Sequence, residues 1–315
     1  MEGIVTFATK AMKDAVTEEI IKLAEENEFI TMGTDGSHIF DKFAEVYPDR
    51  YVDVGIAEQN LFGVASGLAY MGHTVMVSSI ASFLLRRAYE QIRLDICNLN
   101  FPVIIIGFSA GLSYGTLGST HHLTEDIGLT RLLPNMLTLV PADAIEARRA
   151  VHTALKWKGP VYIRLGNGEE RVIHKDESYY EDFMPEIVST GDDAILFANG
   201  YCVAEAMLAR DQLLLQGIHV TIANVHTVQP INKEFIRMIS KEKKVALVVE
   251  EHVEHGGLGS AIAEIFSEAY ICPLIRLGIS DNKPPVASRE QLISFYGIDA
   301  NHICEKIIGY FRNWR

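Results

Sequence analysis

Residues 101–107 read FPVIIIG, a short apolar run that is rich in β-branched side chains. A run of this kind, bounded by Pro and Gly, predicts a strand that is buried on both faces. Residues 143–156 follow with helical spacing behind an acidic cap, Asp143, and residues 161–164 (VYIR) return to a strand. This alternation of strands and helices predicts an α/β fold with a mostly parallel sheet covered by helices on both faces.

The alternation breaks once and then resumes. Residues 169–190 are polar, acidic and aromatic without a period, which is typical of a linker. Apolar strands are predicted again over residues 194–198, 220–223, 245–249 and 274–277, with helices between them. The chain is therefore expected to fold as two doubly wound domains, residues 1–168 and a smaller α/β domain at residues 191–315.

Composition narrows the class of protein. The 315 residues include 48% hydrophobic side chains, and 41 acids against 28 Lys and Arg give a formal charge of −13. Nucleic acids and anionic membranes both need a concentrated positive field, so neither is expected as a partner. The four cysteines are widely spaced, the N-terminus lacks a signal-peptide pattern, and no apolar run reaches eighteen residues. These features predict a reduced, cytoplasmic protein.

Residues 53–60 (DVGIAEQN) place one carboxylate, Glu58, between apolar residues and before a helix rich in Gly and Ala, residues 61–69. An acid at the mouth of so apolar a helix would be partly desolvated, which favours sharing a proton. The same side chain could instead complement the positive end of the helix. Glu58 is therefore a candidate catalytic residue, with the helix-end role as the alternative.

Residues 107–126 form a glycine-rich stretch directly after a predicted strand, where parallel sheets place ligand-binding loops. His121 and His122 are adjacent and would point in different directions on regular backbone, which argues against a shared metal ion. A proton donor or a hydrogen bond to substrate fits one of these histidines better. The sequence therefore predicts no metal ligands in this chain.

Residues 78–93 (SSIASFLLRRAYEQIR) place Phe83 ahead of several arginines, among them Arg87. An aromatic ring beside cations could stack on a planar ligand and meet an anion. The spacing alone favours a core position for Phe83, because large aromatic side chains are mostly buried. Both interpretations stay open at the level of the pattern.

Three motifs in this order resemble the transketolase family of thiamine-diphosphate enzymes: residues 55–60 (GIAEQN), 118–122 (GSTHH) and 141–143 (PAD). The resemblance runs from residues 7–9 (FAT) into residues 249–261, and deoxyxylulose-phosphate synthases share the arrangement. It implies a pyrimidine-binding domain with a mostly parallel sheet, followed by a transketolase C-terminal domain.

The resemblance leaves out one domain of the family. The domain that grips the diphosphate through a Gly-Asp-Gly motif and Mg²⁺ has no counterpart in these 315 residues. The chain therefore resembles the C-terminal subunit of a split transketolase, whose N-terminal partner subunit would hold Mg²⁺ and the diphosphate of the cofactor. The family implies a two-plus-two heterotetramer with thiamine diphosphate at the subunit interface, and inactivity of this chain alone.

The resemblance also implies roles for single residues. Glu58 matches the glutamate that hydrogen-bonds the aminopyrimidine ring, and Phe83 matches an aromatic residue that stacks on it. Ile80 stands where relatives often carry another aromatic residue. His121 matches the histidine that contacts oxygens of the substrate. The implied reaction moves a two-carbon ketol unit from a ketose to an aldehyde acceptor.

Departures from the family pattern concern the sugar substrate. Leu117 stands where relatives carry an acid that hydrogen-bonds a substrate hydroxyl, and Asn167 stands where they carry an arginine that binds a sugar phosphate. Lys10 replaces another arginine and keeps the charge without the planar fork. These changes predict a specialised substrate, unphosphorylated or deoxygenated. Arg87, in an Arg-Ala-Tyr context similar to that of deoxyxylulose-phosphate synthases, could still contact an anion and so keeps a phosphorylated substrate open.

Two other functions compete with this interpretation. The beta subunit of a 2-oxo acid dehydrogenase has the same two-domain layout, but residues 118–121 and 87–91 fit a transketolase better. A non-catalytic subunit that only binds a partner would explain the missing acid and arginine. The presence of both Glu58 and Phe83 argues against that loss of function.

Overall fold

The computed structural model describes residues 9–34, 39–175, 183–280 and 285–313, so Phe7 and Ala8 of the family resemblance lie outside it. Its strands are β1 (Thr9–Ala11), β2 (Phe29–Gly33), β3 (Tyr51–Asp53), β4 (Thr74–Ile80), β5 (Val103–Phe108), β6 (Leu137–Leu139), β7 (Val161–Arg164), β8 (Glu169–Arg171), β9 (Glu186–Ser189), β10 (Ala194–Ala198), β11 (Val220–Asn224), β12 (Thr227–Gln229), β13 (Val245–Val253) and β14 (Leu274–Ile279). Its α-helices are α1 (Met12–Leu23), α2 (Asp41–Val46), α3 (Glu58–Tyr70), α4 (Ala81–Arg87), α5 (Tyr89–Gln91), α6 (Asp126–Arg131), α7 (Ala144–Lys156), α8 (Cys202–Leu214), α9 (Lys233–Ser240), α10 (Leu258–Ala269), α11 (Arg289–Phe295) and α12 (Ala300–Asn313).

Six strands from the first half of the chain and β12 from the second form a seven-stranded sheet in the order β12-β6-β7-β5-β4-β2-β3. Its strands run parallel except β12, which is antiparallel to β6. Side chains of β5 alternate between two cores: Ile104 and Ile106 pack on one face, and Val103 and Ile105 on the other. A strand covered on both faces has no polar side, which explains the unbroken apolar run at residues 101–107.

The second half forms a five-stranded sheet in the order β14-β13-β10-β11-β9, parallel except for the edge strand β9. The side chains of strand β10 also pack into two cores, with Leu196 on one face and Phe197 on the other. The structure thus confirms the predicted pair of doubly wound α/β units. Among the described residues, every helix is too short or too polar to cross a membrane.

The stretch predicted to be a linker, residues 169–190, holds a short strand at each end. Strand β8 pairs antiparallel with β1, and β9 pairs antiparallel with β11 at the edge of the second sheet. In the other direction, β12 leaves the second half of the chain and completes the first sheet beside β6. The two halves are therefore joined by strand pairing, and the division at residues 168 and 191 stays a prediction.

Candidate active site

The candidate residues follow the carboxyl ends of parallel strands in the first sheet. Glu58 comes after β3, Ile80 ends β4, His121 lies in the loop after β5, and Asn167 follows β7. Because parallel strands end at one edge of their sheet, this edge is where α/β folds bind ligands. Four of the predicted site residues are thereby brought to one side of the first domain.

A tight turn sets the position of Glu58. The Gly55 amide donates a hydrogen bond to Oδ1 of Asp53 (2.7 Å), and Gly55 has φ +67°, a conformation that favours glycine. Helix α3 then begins at Glu58, whose side chain is only 5% exposed. An open cleft beside this carboxylate is lined by Ile56, Ala57, Gln59, Asn60 and Arg87. The turn therefore presents a nearly buried acid to an accessible cleft.

Arg87 lies against two of the three candidate cofactor residues, Glu58 and Phe83. Its Nη1 atom donates to the two oxygens of Glu58 at 3.1 and 3.2 Å, and its Cζ atom lies 3.9 Å from the ring centroid of Phe83. A planar cation thus hydrogen-bonds a carboxylate while it covers an aromatic face. Phe83 itself is half-buried. The Arg87 guanidinium therefore bridges the aromatic face of Phe83 and the Glu58 carboxylate.

His121 is a second neighbour of Phe83. The two rings meet edge to face with centroids 5.2 Å apart, and the Tyr114 ring meets His121 at 5.8 Å. The Nδ1 atom of His121 is 3.0 Å from the Thr120 hydroxyl, and within the described residues its Nε2 atom has no hydrogen-bond partner. One imidazole nitrogen is therefore available to a ligand at this edge of the sheet. Tyr114 was not singled out by the sequence analysis, because nothing in its local pattern marks it.

His122 points away from its neighbour. Its side chain is buried, and its Nε2 atom lies 3.2 Å from the carbonyl oxygen of Gly115. Burial lowers the pKa of His122, so the ring is neutral at pH 7. The Nε2 atom of His122 is therefore occupied by the backbone of its own loop, whereas His121 contacts Phe83 and Tyr114.

The glycine-rich loop is anchored by the second domain. The Leu112 amide donates to Oε1 of Glu251 (3.2 Å), and the same carboxylate is bound by Arg289 through Nε and Nη2, each at 2.8 Å. Arg164 donates from Nη2 to the carbonyl oxygen of Glu251 (2.9 Å). Burial opposes the charge, but the two guanidinium groups outweigh it and lower the pKa of Glu251. This buried network fixes the base of the loop that carries His121.

The sequence did carry a signal for this network. Glu250 and Glu251 directly follow the apolar run 245–249, and a buried acid in such a strand needs buried partners. Glu250 finds them in the amides of Leu258 and Gly259 at the start of α10, each 2.7 Å away. The spacing in sequence could not identify Arg164 and Arg289, because both lie far from the acids along the chain.

The remaining predicted substrate residues are more scattered. Lys10 lies on β1 and forms an ion pair with Glu18 (3.4 Å), and among the described residues no ion pair or hydrogen bond joins it to Glu58 or His121. The Oδ1 atom of Asn167 is buried and has no hydrogen-bond partner in the described part of the chain. Ile80 packs against the first-domain core at the end of β4. The structure therefore groups Glu58, Phe83, Arg87 and His121 by direct contact.

Glu146, His174 and Glu186 bring three possible metal ligands within 4.8 Å of one another. The His174 ring instead bridges two acids, with Nδ1 2.9 Å from Asp143 and Nε2 2.7 Å from Glu186. Burial opposes its charge, yet these hydrogen bonds raise the pKa of His174 to about 10. A charged imidazolium is a poor metal ligand, so this cluster is a buried ion-pair network.

The fold consists of two α/β units, and the contact cluster places a carboxylate and an aromatic face against one planar guanidinium group. The family model of the transketolase pyrimidine-binding domain matches residues 8–171, and that of the transketolase C-terminal domain matches residues 185–303. The chain belongs to the transketolase family. The resemblance found in the motifs, and with it a subunit of a thiamine-diphosphate-dependent transketolase, is thereby confirmed.

Individual relatives agree with this assignment. One of the subunits of the apulose-4-phosphate transketolase of Actinobacillus succinogenes is 38% identical over 265 residues, which cover 84% of this chain and 85% of the relative. The 6-deoxy-6-sulfo-D-fructose transketolase subunit of a Clostridium species is 31% identical over 295 residues, covering 93% and 92%. A solved split-gene transketolase, described as an inactive β4 tetramer, superposes with a TM-score of 0.86 at 33% identity and covers 95% of this chain and 97% of that structure.

Proposed function

We propose that this chain is the C-terminal subunit of a split transketolase, which transfers a two-carbon ketol unit from a ketose to an aldehyde acceptor. One observation carries the proposal: a single planar group, the Arg87 guanidinium, contacts the Glu58 carboxylate and the Phe83 ring at the same time. These two contacts are the ones that an aminopyrimidine ring needs. The relatives named as transketolase subunits or as a split-gene enzyme support the same function.

The residues at this edge fit the pyrimidine half of thiamine diphosphate. Glu58 would hydrogen-bond the ring and share a proton with it, and Phe83 would fix the ring by stacking. Ile80 would supply apolar contact at the end of β4. When bound, the cofactor supplies the carbon centre that takes up and releases the ketol unit. The role of this chain is to hold the ring and to control the proton at Glu58.

Substrate would lie between His121 and the positively charged side chains. The Nε2 atom of His121 is available to a sugar hydroxyl. The names of two relatives contain a phosphate and a sulfo group. We therefore place anion recognition at Arg87, with Lys10 in support, because Asn167 is neutral. Comparable rates on xylulose 5-phosphate and xylulose would instead favour an unphosphorylated substrate.

Activity would require an N-terminal partner subunit that carries the diphosphate-binding domain and Mg²⁺. Large apolar side chains are exposed around α3: Ile56 is 71%, Tyr70 81% and Met71 74% exposed. Exposed apolar side chains at both ends of α3, with Ile56 in the cleft beside Glu58, favour assembly of a partner near this helix. A two-plus-two heterotetramer would cover it. We also propose a cytoplasmic location, in keeping with four unpaired cysteines.

Replacing Glu58 by Gln tests this function. In the complex reconstituted with the partner subunit, the Glu58→Gln variant should lose at least about 100-fold in ketol transfer, because Gln cannot exchange the proton. Its assembly with the partner, measured by native mass spectrometry, should be unchanged. Unaltered activity would favour the non-catalytic subunit. Turnover of a 2-oxo acid that depends on a lipoyl protein would favour the dehydrogenase beta subunit.

A further inference from the structure

Arg87 makes the two contacts that the proposed function assigns to the pyrimidine ring. Its guanidinium donates to both Glu58 oxygens at 3.1 and 3.2 Å and covers the Phe83 ring at 3.9 Å. The same aromatic face cannot hold two planar groups at once. We propose, on the basis of the proposed function, that Arg87 is a displaceable gate that occupies the pyrimidine subsite until the cofactor enters.

Of the two residues in the Arg87–Glu58 ion pair, only Arg87 can move out of the subsite. Arg87 is the last residue of helix α4, and its side chain is 46% exposed. Water can therefore solvate the guanidinium when the side chain rotates outward. The Glu58 side chain is 5% exposed and sits at the first residue of α3, where the preceding turn fixes the backbone. Opening of the gate is therefore a side-chain rotation of Arg87, with Glu58 and Phe83 staying in place.

Arg87 also neutralises the buried charge of Glu58 while the cofactor is absent. A carboxylate as buried as Glu58 is costly without a proton or a cationic partner. Arg87 supplies that partner while the ring subsite is closed. After displacement, the guanidinium remains tethered at the rim of the cleft, where it can meet an anionic group of the substrate. One residue thereby links entry of the cofactor to exposure of the anion contact.

A neighbouring residue provides a matched control. Arg86 lies on the same helix, its side chain is 38% exposed, and it pairs with Glu125 through Nε at 2.5 Å and Nη2 at 2.9 Å. It therefore resembles Arg87 in charge, exposure and ion pairing, but its partner is not Glu58. Arg86→Met removes a charge from the same helix without opening the gate.

The decisive measurement is the Kd of thiamine diphosphate for the complex of this chain with its partner subunit, by titration calorimetry with Mg²⁺ present. Loss of the competing contacts should lower the Kd about fivefold in Arg87→Met, and Arg86→Met should match the wild type. An unchanged or higher Kd in Arg87→Met would overturn the gate. A wild-type complex that binds no thiamine diphosphate would instead overturn the proposed function.

A second measurement needs no variant. Phenylglyoxal modifies accessible arginines, and mass spectrometry of the peptides reports the rate at each site in the wild-type complex. Addition of thiamine diphosphate should raise the rate at Arg87, because the guanidinium leaves Glu58 and Phe83, and should leave Arg86 unchanged. A constant or slower rate at Arg87 would contradict displacement.

Discussion

Gly111 shows how a single residue ties the active-site loop to the second domain. Its φ of +64° is left-handed, and a Cβ atom there would collide with the Glu251 carboxylate and lie 2.7 Å from Nη2 of Arg164. Its amide and carbonyl also pair with Leu123 across the loop. Glycine is therefore required at this position both for conformation and for space.

Replacing Gly111 by Ala should lower the free energy of unfolding by about 2–4 kcal/mol, because strain and a clash with buried charges add. Urea unfolding of the purified chain measures this change. The control is Gly309→Ala in α12, where a Cβ atom meets open space and should stabilise the helix by about 0.5–1 kcal/mol. Equal stability of Gly111→Ala and wild type would show that Glu251 does not occupy this position.

The main residues of the site could be predicted, but their contacts could not. Glu58 and His121 stand in motifs of the family resemblance, and Phe83 was nominated through that resemblance, because its spacing alone favoured a core position. The pairing of Arg87 with Glu58 spans 29 positions along the chain and depends on how α3 and α4 pack. The sequence also nominated Lys10 as a substrate-binding residue. In the structure, Lys10 forms an ion pair with Glu18 of α1.

At the scale of elements, the His174 network joins three parts of the fold. Asp143 caps α7 through a hydrogen bond from the Glu146 amide (2.9 Å) and also binds the His174 ring (2.9 Å). Glu186, on the edge strand β9, holds the other side of the ring (2.7 Å). The charged imidazole thus fastens the segment between the domains to the helix of one and the sheet of the other.

This network predicts a pH dependence of stability. The pKa of His174 rises from 6.5 to about 10 on folding, so its stabilisation is complete below about pH 6.5 and is lost as the pH rises through 10. At pH 6.5 the His174→Gln variant should be less stable than wild type by roughly 2–5 kcal/mol, and the difference should shrink by pH 10. Urea unfolding across this range measures it.

His302→Gln is the matched control, because His302 forms a similar pair with Asp299 but is 40% exposed. Its effect on the free energy of unfolding should be small at every pH. If the His174→Gln deficit were the same at pH 6.5 and pH 10, the imidazole would be neutral in the fold and the ion-pair network would be wrong.

Which elements could be predicted depends on their burial. Strands β5, β10 and β13 are covered on both faces, so their apolar runs stand out in the sequence. Strands β8, β9 and β12 have only three or four residues and lie at sheet edges. Their pairing is decided by the neighbouring strand and not by a local pattern, which is why residues 169–190 looked like a linker.

At the scale of the whole molecule, the two halves act as one support for the site. Strand β12 extends the first sheet, and Glu251 of the second half, held in place by Arg289, binds Arg164 and the Leu112 amide of the first. The second domain therefore sets the shape of the loop that carries His121. This dependence was not visible in the sequence, because it rests on contacts between residues 87 or more positions apart.

The central claim is that this chain supplies the pyrimidine half of a thiamine-diphosphate site whose other half lies on a partner subunit. The most direct test is native mass spectrometry of the tagged chain purified from its own cells, with released thiamine diphosphate quantified in the same sample. We predict two copies of this chain, two of a subunit with the diphosphate-binding domain, and one cofactor per pair. A homo-oligomer without cofactor, still unable to bind thiamine diphosphate when that subunit is added, would contradict it.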